Sequence, residues 1–268
     1  MRIPRFVRIA ILVLIGLALV GWFAATQISH WQTRKALAQH AAAIAAHRET
    51  QRATPAAAPA AAPTVTPSTT PAAAAIAAPS VTPAIAWTTG WAEFRGARRD
   101  GHHSAGAILT DWTNLRPLWR QPVGGGHASF VAANGHAFTI EQRGGQEVAV
   151  AYDVLTGREL WTNAWDAVFI SNSGGGPGPR ATPAFHDGTL FVLGALGELR
   201  ALDASSGRVR WRTNILDDAG GAKRDFGIAA SPLIVGNTVV TVPGGGNGRS
   251  IVAYDRASGR VAWSALDD

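Results

Sequence analysis

The chain has 268 residues, 47% of them hydrophobic, with 30 Gly, 10 Trp, no Cys and a formal net charge of +6. Without Cys there is no disulfide, no thiolate metal site, no haem attached through Cys-x-x-Cys-His and no lipid-modified N-terminal Cys. Nor does the charge point to nucleic acid. Residues 1–53 carry seven basic side chains against Glu49 alone, while residues 54–268 carry seventeen of each sign. The globular part therefore lacks the basic stripe that releases counterions from phosphates.

Arg2, Arg5 and Arg8 precede an uncharged run of 17 residues, Ile9 to Ala25. As a helix this run spans roughly 25 Å, close to a bilayer core once Thr26 to Ser29 are added. The three Arg argue for a cytoplasmic start, with Trp22 and Trp31 at the far interface. A retained signal-anchor over residues 1–28 competes with a cleaved signal peptide; the apolar run exceeds the usual h-region and no clean small-x-small site follows it. Either reading exports the rest. Residues 29–53, rich in Ala, Gln, Arg and His, favour a juxtamembrane helix. Residues 54–86 place Pro at 55, 59, 63, 67, 71, 79 and 83 among Ala, Thr and Ser, without a charge. Pro at that density forbids a helix and predicts an extended spacer.

Beyond the spacer the chain repeats. "AYDVLTGRELW" at 151, "ALDASSGRVRW" at 201 and "AYDRASGRVAW" at 253 share Asp153/Asp203/Asp255, Gly157/Gly207/Gly259 and Trp161/Trp211/Trp263, stepping by 50 and then 52 residues. A fixed period near fifty is the mark of a repeat architecture. Each unit also holds a short apolar run ("SFVAA", "TPAFH", "SPLIV"), a two-residue turn (Asn134-Gly135, Asp187-Gly188, Gly236-Asn237) and a β-branched run ("HAFTI", "TLFVL", "TVVTV"). Four short strands per unit predict an all-β fold, a β-propeller, with full blades at about 128–161, 181–211 and 230–263. In the shared motif Asp accepts bonds from backbone N–H groups just beyond it, and Gly supplies a positive φ. The Trp falls on the outer strand, where it can lie over the neighbouring blade. Three copies argue for a structural clip rather than catalysis.

These three copies resemble the repeat of the pyrroloquinoline-quinone (PQQ)-type β-propeller family, and "WAEFRGARRDG" at 91–101 resembles the entry segment of some members. The likeness covers about residues 87–268. That family includes quinoprotein dehydrogenases, which bind PQQ with a calcium ion, and non-catalytic propellers such as the scaffold lipoprotein of outer-membrane barrel assembly. The resemblance thus implies either PQQ with calcium as cofactor or no cofactor, and no catalytic or calcium-ligand set maps onto this chain residue by residue. "LRPLWRQPV" around Trp119 resembles one further outer strand. Three blades are fewer than the four to eight of a closed ring, so an incomplete ring is expected, with both end faces bare and an unpaired edge at Trp119.

Loops entering inner strands (162–180, 212–229) and hairpins between the second and third strands (141–147, 243–249) share one face, while tight turns occupy the other. Binding residues concentrate on such loops. Candidates there are His127, Glu141, Arg143, Arg180, Lys223, Arg224, Asp225 and Arg249, with His127, Arg143, Arg180 and Arg249 as the cofactor- or ligand-binding set. Asp217-Asp218 lacks the alternating oxygen ligands of a calcium loop. "GGGPGPR" lacks the Gly-Lys-Ser/Thr of a phosphate loop, and His102-His103 has no third metal ligand nearby. The favoured function is a membrane-anchored propeller on the periplasmic side of a bacterial inner membrane, binding a protein or small ligand. The alternative is a PQQ-dependent alcohol or sugar dehydrogenase.

Overall fold

The computed structural model describes residues 5–53, 90–103, 111–113, 115–171, 175–222 and 225–267. The Pro-rich segment 54–86, Lys223 and Arg224 lie outside the described residues. Helix α1, Arg5–Ala53, runs unbroken through both the apolar run and the Ala-rich segment.

Twelve strands follow: β1 Val131–Ala133, β2 His136–Arg143, β3 Gln146–Asp153, β4 Glu159–Asp166, β5 Ala184–His186, β6 Thr189–Leu193, β7 Glu198–Asp203, β8 Val209–Asn214, β9 Leu233–Val235, β10 Thr238–Thr241, β11 Ile251–Asp255 and β12 Val261–Ala265. They form three antiparallel meanders, β1 to β4, β5 to β8 and β9 to β12. Inner strand β1 meets β5 and β5 meets β9, so the sheets fan out from a shared inner row. Ser129 N–H donates to Thr182 Oγ1 (3.1 Å) and Thr182 N–H to Ser231 Oγ (2.9 Å), so that a backbone N–H of each blade meets a hydroxyl of the next.

The turns follow the residues that the chain supplies. Asn134 and Gly135, and Asp187 and Gly188, all take positive φ, as the two-residue hairpin requires. Outer strands β4 and β8 run past their Trp to Asp166 and Asn214, because β3 and β7 offer partners along their whole length (Gln146↔Asp166, Glu198↔Asn214). The loops therefore start later than the motif spacing indicated. After β8 comes a five-residue helix, α2 Ile215–Ala219, capped by the Asn214 side chain and stopped by Gly220 at φ 65.

Every blade carries one register shift where the outer strand starts, at Ala151/Tyr152, Ala201/Leu202 and Ala253/Tyr254. A bulge at that point bends the strand and re-aims the side chain beyond it. Trp119, Trp161 and Trp211 each lie on the Gly of the following turn, Gly157, Gly207 and Gly259. Their indole N–H groups donate to Val154, Ala204 and Arg256 carbonyls at 2.8, 2.9 and 2.9 Å. Two apolar clusters fill the gaps between blades. Phe138, Ile140, Leu190 and Leu202 are in one; Phe191, Leu199, Val239 and Tyr254 are in the other.

The expectation of two bare end faces is corrected at the first blade. Thr33, Leu37, Ala41, Ile44, Arg48 and Gln51 form the inward stripe of α1, at steps of three and four residues. His40 Nε2 meets Val123 O at 2.7 Å, His47 Nε2 meets Gln121 Oε1 at 3.0 Å, and Arg48 donates to Pro122 O at 3.0 Å. The helix thus packs on residues 121–123, just past Trp119, while Leu115 and Leu118 before it are exposed. At the other end Trp263 is 46% exposed, beside exposed Val261, Val235 and Val242.

Candidate binding site on the loop face

The loop face is built by backbone first. Gly125 pairs with Gln142 across a short bridge, and His127 N–H donates to Pro179 O at 2.8 Å. Gln142, fully buried, donates its amide to Gly144, Gln146 and Ala167 carbonyls at 3.0, 3.0 and 2.8 Å. One side chain thereby pins the β2–β3 hairpin to the loop that leaves β4, a useful economy, because each buried carbonyl needs a donor.

Glu147 sits at the seam of the first two blades with no exposed surface. Its carboxylate accepts Ala195 N–H at 2.9 Å and Trp165 Nε1–H at 3.1 Å, while the Arg200 guanidinium lies 4.4 Å from the Trp165 ring centre. Burial pushes its pKa up, against the two hydrogen bonds, which pull it down.

A cavity of about 540 Å³ lies between the entry segment and the inner strands, lined by Phe94, Arg99, His127, Arg180, Thr182, Leu233 and neighbours. Its walls are chiefly apolar, and its cations are turned to protein partners. Arg99 pairs with Glu93 at 3.1 Å. Arg180 bonds the Gly176 carbonyl at 2.8 Å and the Gly178 carbonyl, and stacks 4.7 Å from the Phe169 ring centre. Burial lowers its pKa, with Glu147 opposing. His127 Nε2 meets the Gly175 carbonyl.

The structure brings His127 and Arg180 together on this cavity but places Arg143 and Arg249 elsewhere. Arg143 lies on the α1 side of the first blade, bonded to Glu141 (Nε to Oε1, 2.6 Å), Glu159 (2.8 Å) and Tyr152 (3.3 Å). Glu141, also in this cluster, accepts the Gly124 N–H at 2.5 Å. Burial opposes charge on Arg143, and the Glu141 and Glu159 carboxylates outweigh it and raise the pKa. Arg249 donates to the Asp218 carbonyl at 2.5 Å, and Asp225 is exposed. Two residues escaped the loop-based reading. Arg99 reaches the cavity from 91–101, the stretch singled out only as an entry segment. Arg48, 3% exposed, joins the Arg143 cluster from α1, with Nε 3.1 Å from Glu159.

Among the described residues, the side chains on this cavity offer no ready ligand set for PQQ with calcium. Among the described residues no three His, Asp or Glu side chains converge to hold a metal ion, and the cavity's guanidinium groups already have partners. Asp153, Asp203 and Asp255 are occupied at their turns, where Asp203 Oδ1 accepts the Ser205 and Ser206 hydroxyls at 2.6 and 2.8 Å and Asp255 Oδ1 accepts Ser258 Oγ–H at 2.6 Å.

Three meanders sharing an inner row and clipped by Trp on Gly define a β-propeller repeat domain. Residues 144–268 match the family model described as outer membrane protein assembly factor BamB. A protein of that name from Shewanella oneidensis is 27% identical over 116 residues, which is 42% of this chain and 27% of the relative. The chain therefore spans about a quarter of that relative's length. Among solved structures, the quinohaemoprotein alcohol dehydrogenase of Comamonas testosteroni is 25% identical with a TM-score of 0.38, over 53% of this chain and 21% of that one. BamB from Moraxella catarrhalis is 24% identical with a TM-score of 0.33, over 53% and 36%.

Proposed function

We propose that this chain is a membrane-anchored, extracytoplasmic PQQ-type propeller that binds a protein partner on its long-loop face without catalysing a reaction. The observation that carries the reading is the employment of the loop-face side chains. Gln142, Glu147, Arg180 and Arg249 hold their own loops in shape, which is what a rigid recognition surface needs. The assembly factor that names the matching family model supports a protein as partner. The apolar helix start after Arg2, Arg5 and Arg8 supports a single-pass anchor in a bacterial inner membrane, with the propeller on the periplasmic side. The blades described form an arc, and we read the Trp263 face as the seat of a further blade, because the three equivalent Trp residues before it all clip a following turn.

The quinoprotein reading rests on Arg99, His127 and Arg180 around one cavity. Incubation of the full chain with PQQ and calcium, followed by dye-linked oxidation of alcohols and sugars, separates the two. The binding reading expects no oxidation above that of the free cofactor. Oxidation that saturates with PQQ would overturn it.

A further inference from the structure

The direction in which α1 lies on the first blade fixes which end of the propeller points back along the helix. Two sets of contacts give that direction independently. The first uses the blade itself. Ala41 lies at the β2–β3 hairpin, where a Cβ placed on Gly144 would sit 3.6 Å from the Ala41 Cβ. About two and three turns later, Arg48 and Arg52 meet Glu159 at 3.1 and 3.8 Å, where β4 begins beside the Asp153 turn. The second uses the segment 119–125, which runs from Trp119, on Gly157 at the turn end, to Gly125, paired with Gln142 near the hairpin end. His40 touches this segment at Val123 and His47 touches it at Gln121, so the helix runs antiparallel to it. Both sets place the N-terminal side of the docked stretch at the hairpin end. The helix is continuous from there back to Arg5.

The docking is specific rather than a passing apolar contact. Leu37 and Ile44 are buried, and Arg48 enters a cluster with Glu159, Arg143, Glu141 and the Tyr152 hydroxyl (Arg48 Nη2 to Oη 3.0 Å). Removing the helix would take Arg48 and Arg52 from Glu159 and leave it to share the Arg143 guanidinium with Glu141. A buried carboxylate short of a partner is costly, which favours one seated position for the helix.

We infer that α1 holds the propeller with its long-loop face, including the cavity of Phe94, His127 and Arg180, turned toward the membrane. This rests on the reading that α1 crosses a bilayer. Sixteen residues separate Ala25, the end of the apolar run, from Ala41 at the hairpin, roughly 24 Å of helix. The loop face then stands about one headgroup layer and a narrow aqueous gap from the hydrocarbon. A partner reaching it approaches along the membrane surface, as the short extracytoplasmic loop of a membrane-embedded protein does. The Asp153, Asp203 and Asp255 turns face away from the bilayer.

The absence of native Cys makes the test direct. Gly145→Cys, at the hairpin tip with open space around it, and Leu155→Cys, exposed in the Asp153 turn, mark the two ends of one blade. The ends are about 23 Å apart along β3. Each full-length variant, labelled with a donor dye, is reconstituted into vesicles carrying a headgroup-attached acceptor. Energy transfer is expected to be higher from position 145 than from 155. Inserting seven residues after Gln32, about two helical turns, should lower transfer at both positions and preserve their order. Equal or inverted transfer, or an insertion without effect, overturns the orientation. Failure of the unlabelled chain to float with vesicles overturns the membrane reading itself, and the orientation falls with it; flotation with inverted transfer sinks the orientation alone.

Discussion

The indole of Trp161 lies on Gly207 of the next blade, and its N–H donates to the Ala204 carbonyl at 2.9 Å. A Cβ on Gly207 would fall 2.5 Å from Trp161 Cε3, and the residue has a φ of +70. Gly is therefore needed twice at this position, once for the backbone and once for the ring. Gly188 has a φ of +67 with nothing within 4 Å of a Cβ. Gly188→Ala should cost about 1 kcal/mol from left-handed backbone strain. Gly207→Ala should cost about 2–4 kcal/mol, the excess being the displaced indole. Denaturant unfolding of both variants checks the clip; equal losses would mean that the ring adds nothing.

The same clip predicts an asymmetry among the Trp residues. Trp211 seals the second blade against the third and donates to Arg256 O at 2.9 Å, whereas Trp263 is 46% exposed. In this chain Trp211→Ala should lower stability by about 3 kcal/mol and Trp263→Ala by less than about 1 kcal/mol. Melting of the two variants under one buffer condition decides it.

Glu147 gives a pH dependence with a definite sign. Its folded-state pKa is raised by burial, so the folded protein favours the protonated form. Its contribution is fully present below the unfolded carboxylate pKa and is lost as pH rises through the raised folded value. Glu147→Gln, which mimics the protonated form, should gain stability relative to the parent as pH rises from acid to neutral. A stability difference that stays flat across that window would contradict the account.

The chain has two Tyr, and both are displaced in the same direction. Burial, then the Glu141 carboxylate, pushes Tyr152 up to about 12, and burial, then the Asp218 carboxylate, raises Tyr254 as well. Ultraviolet titration of the folded chain should show no phenolate at the ordinary tyrosine pKa, and a single normal step in denaturant. With both folded values raised, this contribution to stability is present below the unfolded pKa and is lost as pH climbs through the folded ones.

Much of the β domain was legible because its determinants are local. The Asp-to-Gly-to-Trp spacing fixes turn, bulge and clip within eleven residues, and Asn134-Gly135 and Asp187-Gly188 carry their own turn geometry. The long-loop face was legible from topology, and His127 and Arg180 do meet on one cavity. Arg143 and Arg249 do not join them, because the side chain of each has a nearer partner, Glu141 for one and the Asp218 carbonyl for the other. Arg99 and Arg48 were not legible as site residues, since both act across large gaps in sequence. Yet the steps of three and four from Leu37 through Ala41 and Ile44 to Arg48 are visible in the sequence. They mark a helix face with a partner, and only the identity of that partner needed the fold.

The central claim, recognition on the long-loop face, is tested most directly by site-specific photocrosslinking in cells producing the full chain. A benzophenone amino acid is placed at Asp217 or Gly246 on the loop face, and at Arg208 or Ala257 on the turn face, all exposed. The account predicts a discrete protein adduct from the loop-face positions and none from the turns. No adduct from the loop face, or the same adduct from the turn face with equal yield, would contradict it.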